Sequence, residues 1–305
     1  MYYFIKQNTQ YRCFNFKYVL SFVFVISIFL SINPIKASSV QIIEKDQILN
    51  AEFKEVENKE APIFLILHGT FALHGMELIS ALQENLFENG LGSLAFTLSL
   101  SENNRKEFFN CSHQILSKHE DAQLELDLWL TWLEKKGYKN IHIIGHSRGG
   151  AQVAQFVSKN AERIKNTFLI APLVWEEAKE STSFEKYNKK NISLFIKNLS
   201  NAPKNQLFSI KQALHCSNTK ISKEAFLSYY TSEPEKNTVK IIQSIKSKVF
   251  VYLGDSDPLT VNFNRIINST SSPKSIKIKT IEDADHFFRD FAAEDIVEDI
   301  LVNIR

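Results

Sequence analysis

The stretch Asn140-Ile141-His142-Ile143-Ile144-Gly145-His146-Ser147-Arg148-Gly149-Gly150 decides the fold. An apolar run ends in G-x-S-x-G, and small residues (Gly150, Ala151, Ala154) follow at the start of a helix. That order is strand, sharp turn, helix. A turn this tight holds its serine in a strained backbone conformation. Side chains two residues before and two after the serine would collide with the neighbouring strand and helix, so Gly145 and Gly149 are demanded there. The Ser147 hydroxyl is then expected at the C-terminal edge of a sheet, where open α/β folds place their ligands.

The pattern continues outward from this turn. Ile63–Leu67 is a continuous apolar run, as suits a strand buried on both faces. Val40–Glu44 and Ile48–Glu55 read as two short opening strands, and Ser93–Leu100, Thr167–Ala171, Lys248–Leu253 and Ser275–Ile281 as later ones. Helical spacing of apolar residues marks Met76–Asn89, His119–Lys136 and Phe291–Ile304. Trp129 and Trp132 read as packing residues. Strands alternating with helices over this length predict an α/β fold with a mostly parallel sheet covered on both faces. The region from about 172 to 247, rich in Lys, Asn and Ser, breaks the rhythm and reads as a mostly helical insertion.

A serine hydroxyl needs a base within hydrogen-bond reach and an acid to orient that base. In this architecture the chain order is Ser, then Asp or Glu, then His. His286 is the one histidine placed after the insertion and the last strands, in Ala284-Asp285-His286-Phe287. Asp257 lies just past a strand end in Gly254-Asp255-Ser256-Asp257, and is preferred over Asp255, which reads as shaping the turn. An oxyanion needs two backbone N–H donors. Arg148, after the serine, supplies one; Thr70, in the turn His68-Gly69-Thr70 after the first long buried strand, supplies the other. His146 reads as structural, and His68 and His74 border the pocket without an assigned chemical role.

With His68-Gly69, the elbow Gly145–Gly149, the loop Gly254–Asp257 and Ala284–Phe287 in this order, the sequence resembles a serine hydrolase of the α/β-hydrolase superfamily. The resemblance spans residues 61–305. It implies the α/β-hydrolase fold, with the 172–247 insertion as a cap that shapes the pocket. It also implies a small-molecule acyl substrate cleaved through Ser147, Asp257 and His286, an ester by analogy. A thioesterase or amidase would use the same apparatus. A non-catalytic binding protein on the same fold is the alternative from another class, although such proteins normally lose a triad member.

Composition sets the remaining bounds. The chain has 305 residues, 44% hydrophobic and 23% charged, with a formal charge of +2. No strong basic field exists to hold a nucleic acid backbone, so no nucleic-acid partner is expected. Residues 1–17 carry Lys6, Arg12 and Lys17 and no acid, and an apolar run follows from Tyr18 to Asn33. This reads as a signal peptide cleaved after Ala37, leaving a single hydrolase domain over 38–305 that is exported to the periplasm or beyond. The alternative is an uncleaved membrane anchor over 18–35. Cleavage removes four basic residues and no acid, leaving 32 basic against 34 acidic. Cys111 and Cys216 remain. An oxidising compartment and their topology allow a disulfide between them, against two independent thiols. Cys111, His113, His119 and Asp121 match no common zinc spacing, and neither metal nor cofactor is expected.

Overall fold

The computed structural model describes residues 37–231, 236–268 and 274–304. The expected signal peptide lies outside them except for Ala37, the first residue of β1. The eight-stranded sheet takes the order β1-β2-β4-β3-β5-β6-β9-β10. Its strands are β1 (Ala37–Glu44), β2 (Gln47–Lys54), β3 (Ile63–Leu67), β4 (Gly92–Thr97), β5 (Ile141–His146), β6 (Asn166–Ile170), β9 (Lys248–Gly254) and β10 (Ile276–Ile281). β1 and β2 enter antiparallel, and every pairing from β4 to β10 is parallel. β3, β4 and β5 are buried at every residue, which is why their sequences run apolar instead of alternating.

Helices cover both faces. On one side α1 (Glu77–Glu88) packs with α9 (Ala292–Asn303), burying Leu78, Ile79, Leu82 and Leu86 with Ile296 and Ile300. On the other, α2 (Ala122–Lys135) and α3 (Arg148–Asn160) bury Leu126, Trp129, Leu130, Val153 and Phe156. The expected helix over His119–Lys136 opens as a single 3-10 turn, His119–Asp121, before α2. The expected strand Ser93–Leu100 ends at Thr97: the Leu98 amide and carbonyl are taken by the His68 and Arg105 side chains, and the chain then turns at Leu100 and Ser101, φ 52° and 67°.

The segment between β6 and β9, expected as a mostly helical insertion over 172–247, carries helices and also a β-hairpin. It holds α4 (Glu177–Asn188), α5 (Ile192–Leu199), an antiparallel hairpin of β7 (Leu207–Ala213) and β8 (Cys216–Ser222), and α6 (Lys223–Tyr230). α7 (Thr238–Ser244) packs back on α3 and so belongs to the sheet's covering layer, not to the cap. The cap has an aromatic core of its own, in which Phe226 meets Phe184, Phe195, Phe208 and Tyr230 with ring centroids 4.6–5.6 Å apart. It is joined to the loop after β4 in two ways. Cys111 and Cys216 form a disulfide with Cα atoms 5.2 Å apart. Beside it Ile115 pairs with Ile221, its amide donating to the Lys220 carbonyl at 2.8 Å and its carbonyl accepting from Ser222 at 3.0 Å.

Candidate active site

Ser147 stands between β5 and α3 at φ 54°, ψ −119°, a conformation that costs an L-residue about 1–3 kcal/mol. The strain is held by two backbone hydrogen bonds: the Ser147 amide donates to the Ile170 carbonyl at 2.9 Å, and its carbonyl accepts from Leu173 at 2.9 Å. The glycines are required by close approach. A Cβ on Gly145 would fall 2.6 Å from the Gly149 carbonyl oxygen, and one on Gly149 would run into the His68 carbonyl.

The loops after β9 and β10 bring two more side chains to the serine. His286 Nε2 lies 2.9 Å from Ser147 Oγ, and His286 Nδ1 lies 2.8 Å from Asp257 Oδ2. A carboxylate only accepts, so Nδ1 carries the imidazole proton and Nε2 is left to accept from the serine hydroxyl. Asp257 is 3% exposed. Burial would raise its carboxyl, but the His286 hydrogen bond and the Leu259 amide, 2.8 Å from Oδ1, hold it below its ordinary value. Asp255 is placed differently. Its amide donates to the Ile281 carbonyl at 3.2 Å and its carboxylate accepts from Ser256 Oγ at 3.2 Å, stitching the two loops together.

Thr70 and Arg148 both line the cleft beside Ser147. Gly69 brings the Thr70 loop close: a Cβ there would lie 3.3 Å from Ser147 Cβ. Among the described residues no backbone carbonyl accepts the Thr70 amide. Two buried side chains hold this loop, and neither role is readable from sequence. His68 donates from Nδ1 to the Gly69 carbonyl at 2.8 Å and accepts at Nε2 from the Leu98 amide at 3.0 Å. Burial, then the Arg105 cation, push its pKa down to about 3, so it is neutral. Arg105 donates to the carbonyls of Leu98, Glu107 and Ala72 at 2.6–2.7 Å, clipping the loop after β3 to the end of β4.

The cleft over Ser147 encloses about 480 Å³. Met76, Leu78, Phe108, Leu173, Leu259 and Phe287 give it apolar walls. His215, in the tight turn between β7 and β8, reaches it from the cap and adjoins the disulfide at Cys216. Nothing in the local sequence marks His215, since its position comes only from the hairpin and the disulfide.

The other singled-out residues disperse. Cys111 is in the disulfide, His113 meets Glu102 at 2.5 Å, and Asp121 accepts from the Lys118 amide at 2.7 Å. His119 is buried edge-on to Tyr229. His74 Nδ1 lies 2.6 Å from Thr97 Oγ1. Trp129 is fully buried and packs edge-on to the half-buried Trp132.

The fold agrees with what is similar to the chain. The family model for the alpha/beta hydrolase fold matches residues 62–234. That is more than half of the chain, and the chain belongs to this family. Among solved structures, Est1E from Butyrivibrio proteoclasticus is similar at 16% identity and a TM-score of 0.59, covering 88% of this chain and 99% of that one. The thioesterase domain from the curacin biosynthetic pathway is similar at 15% identity and a TM-score of 0.54, covering 87% and 99%. A structure titled for carboxylesterases of the thaumarchaeon Nitrososphaera gargenis is similar at 15% identity and a TM-score of 0.55, covering 87% and 98%. No curated protein matches the sequence.

Proposed function

We propose that this chain is an exported serine hydrolase that cleaves an ester bond. The observation that carries the reading is the continuous hydrogen-bonded chain from Ser147 Oγ through His286 to Asp257. In the reaction Ser147 Oγ attacks the acyl carbon while His286 Nε2 takes its proton. Asp257 holds the Nδ1 proton and stabilises the imidazolium. The Thr70 and Arg148 amides receive the developing oxyanion. His286 then protonates the leaving alkoxide, and water releases the acyl group from Ser147 by the reverse proton path. The intact triad weighs against a non-catalytic binding protein. Similar folds titled as carboxylesterase and as thioesterase support acyl transfer to water, and a thioester is measured beside the ester. Export is supported by the basic and apolar N-terminal segment and by the Cys111–Cys216 disulfide, since such bonds persist in oxidising compartments.

A fluorophosphonate probe, which modifies only an activated serine, is expected to label the native protein and not Ser147→Ala. Ser147→Ala and His286→Ala are each expected to abolish turnover of a generic aryl ester with the fold intact. Near-normal hydrolysis by Ser147→Ala overturns the mechanism.

A further inference from the structure

Arg148 offers more than a backbone amide. Its half-buried side chain lines the cleft. It is held from two sides: Nε donates to Thr70 Oγ1 at 3.0 Å, and the guanidinium carbon lies 5.1 Å from the centre of the Tyr229 ring. Among the described residues no carboxylate lies within 4 Å of it. Glu180 is near enough to feel its charge. Burial raises the Glu180 carboxyl and Arg148 draws it down, with no hydrogen bond between them. The other arginine on the cleft, Arg289, is engaged with Asp285 at 3.2 Å and lies over the Phe287 ring. Glu77 is the acid on the cleft wall, and it is exposed. The space above Ser147 thus faces one oriented cation with no carboxylate in contact among the described residues, while the rest of the wall is largely apolar.

A half-desolvated guanidinium is costly to leave unpaired and gains most from a planar, bidentate anion. One positive charge with no carboxylate in contact matches one negative charge, which favours a carboxylate over a phosphate dianion. His215, which also lines the cleft, adds a second polar contact. His215 is itself exposed at the tip of the hairpin; desolvation, then the charges of Arg148 and His286, lower its pKa.

We propose that the substrate is an ester that itself carries a carboxylate, recognised by the Arg148 guanidinium with His215 beside it. The proposal rests on the serine-hydrolase reading and narrows its substrate class. Arg148 then acts twice, its amide on the oxyanion and its side chain on the substrate's anion.

The test compares kcat/KM for chain-matched aryl esters. p-Nitrophenyl hemiglutarate places the carboxylate on the acyl side, 4-acetoxybenzoate places it on the alcohol side, and p-nitrophenyl valerate and phenyl acetate are their neutral counterparts. At least one anionic ester is expected to exceed its neutral counterpart by about tenfold or more, the scale of one charged hydrogen bond. Raising the salt concentration is expected to erode that advantage. Arg148→Gln is expected to bring the anionic-to-neutral ratio near one, Arg148→Lys to keep part of it, and His215→Ala to lower it less than Arg148→Gln. Using the ratio cancels any general loss from the broken Thr70 bond. If both anionic esters are no faster than their counterparts, or Arg148→Gln leaves the ratio unchanged while a fluorophosphonate still labels Ser147, the anion site is wrong and the hydrolase reading stands. Failure of the native protein to take the label removes the hydrolase reading itself.

Discussion

His146 Nε2 lies 2.8 Å from the carbonyl oxygen of His286. The residue just before the nucleophile therefore fixes the backbone of the base 140 positions later. A carbonyl only accepts, so Nε2 of His146 carries the proton. Burial, opposed by this hydrogen bond, pushes the His146 pKa down to about 4, and the ring stays neutral while it holds the loop. The two rings lie 5.2 Å apart. The Ser147–His286 distance thus depends on a clamp as well as on the loop's own conformation.

Replacing His146 with Phe keeps a ring and removes the donor. The His286 loop loses its anchor, and small misplacements of a reacting group are costly. The expected result is a fall in kcat of about ten- to a hundredfold with KM little changed, and a matching fall in the rate of fluorophosphonate labelling. An unchanged labelling rate shows that the loop holds itself.

Asp257 and Asp255 are separated by their contacts. Asp257→Asn is expected to lower kcat by about four orders of magnitude, because an amide presents the wrong partner to His286 Nδ1. Asp255→Asn keeps the backbone bonds that shape the turn and is expected to leave kcat within a few-fold. A larger loss from Asp255→Asn reverses the assignment.

The elbow was legible because strain and close packing leave few residue choices: no side chain fits at Gly145 or Gly149 beside a serine at φ 54°. The acid and base loops were legible from chain order and from their places just past strand ends. What escaped depends on tertiary approach. Arg105 and His68 owe their roles to carbonyls and amides on neighbouring loops. The hairpin of β7 and β8 was hidden because it lies outside the main sheet. There its exposed face carries Ser209, Lys211, Ser217, Asn218 and Lys220, giving it the composition of a polar insertion. α8 (Thr260–Asn268) lacked a signal strong enough to separate it from the acid loop before it.

The disulfide predicts a stability loss that is also a substrate effect. It closes a loop of 105 residues, and a bond over such a length stabilises by up to ~4–5 kcal/mol in the chain-entropy model. The double variant Cys111→Ser, Cys216→Ser is expected to melt lower. Because His215 precedes Cys216, its KM is expected to rise more than its kcat falls. Alkylation of the unreduced native protein is expected to leave both cysteines unmodified. Two alkylated cysteines would show that the bond is not formed.

Acid sensitivity is the last expectation. His142 is 2% exposed, stacked on Phe64 at 5.1 Å, and neither ring nitrogen has a hydrogen-bond partner among the described residues. Burial, then the Lys165 charge, push its pKa down to about 4. Burial likewise leads in holding His119 and His68 at about 3 and His146 at about 4. In the unfolded chain these groups titrate near 6.5. Between that value and the folded ones the unfolded state binds more protons, so stability falls as pH drops. Each such group contributes about 1.4 kcal/mol per pH unit within its window. The melting temperature is therefore expected to hold above pH 7 and to fall steeply from about pH 6.5 towards 4. His142→Leu, close in volume and without polar atoms, removes one of these groups. It is expected to gain about 1–3 kcal/mol at neutral pH by deleting unsatisfied nitrogens, and to lose less between pH 7.5 and 5. Thermal melts of both proteins across that range decide it. Equal losses in the two proteins would mean that His142 is not among the groups that set the acid limit.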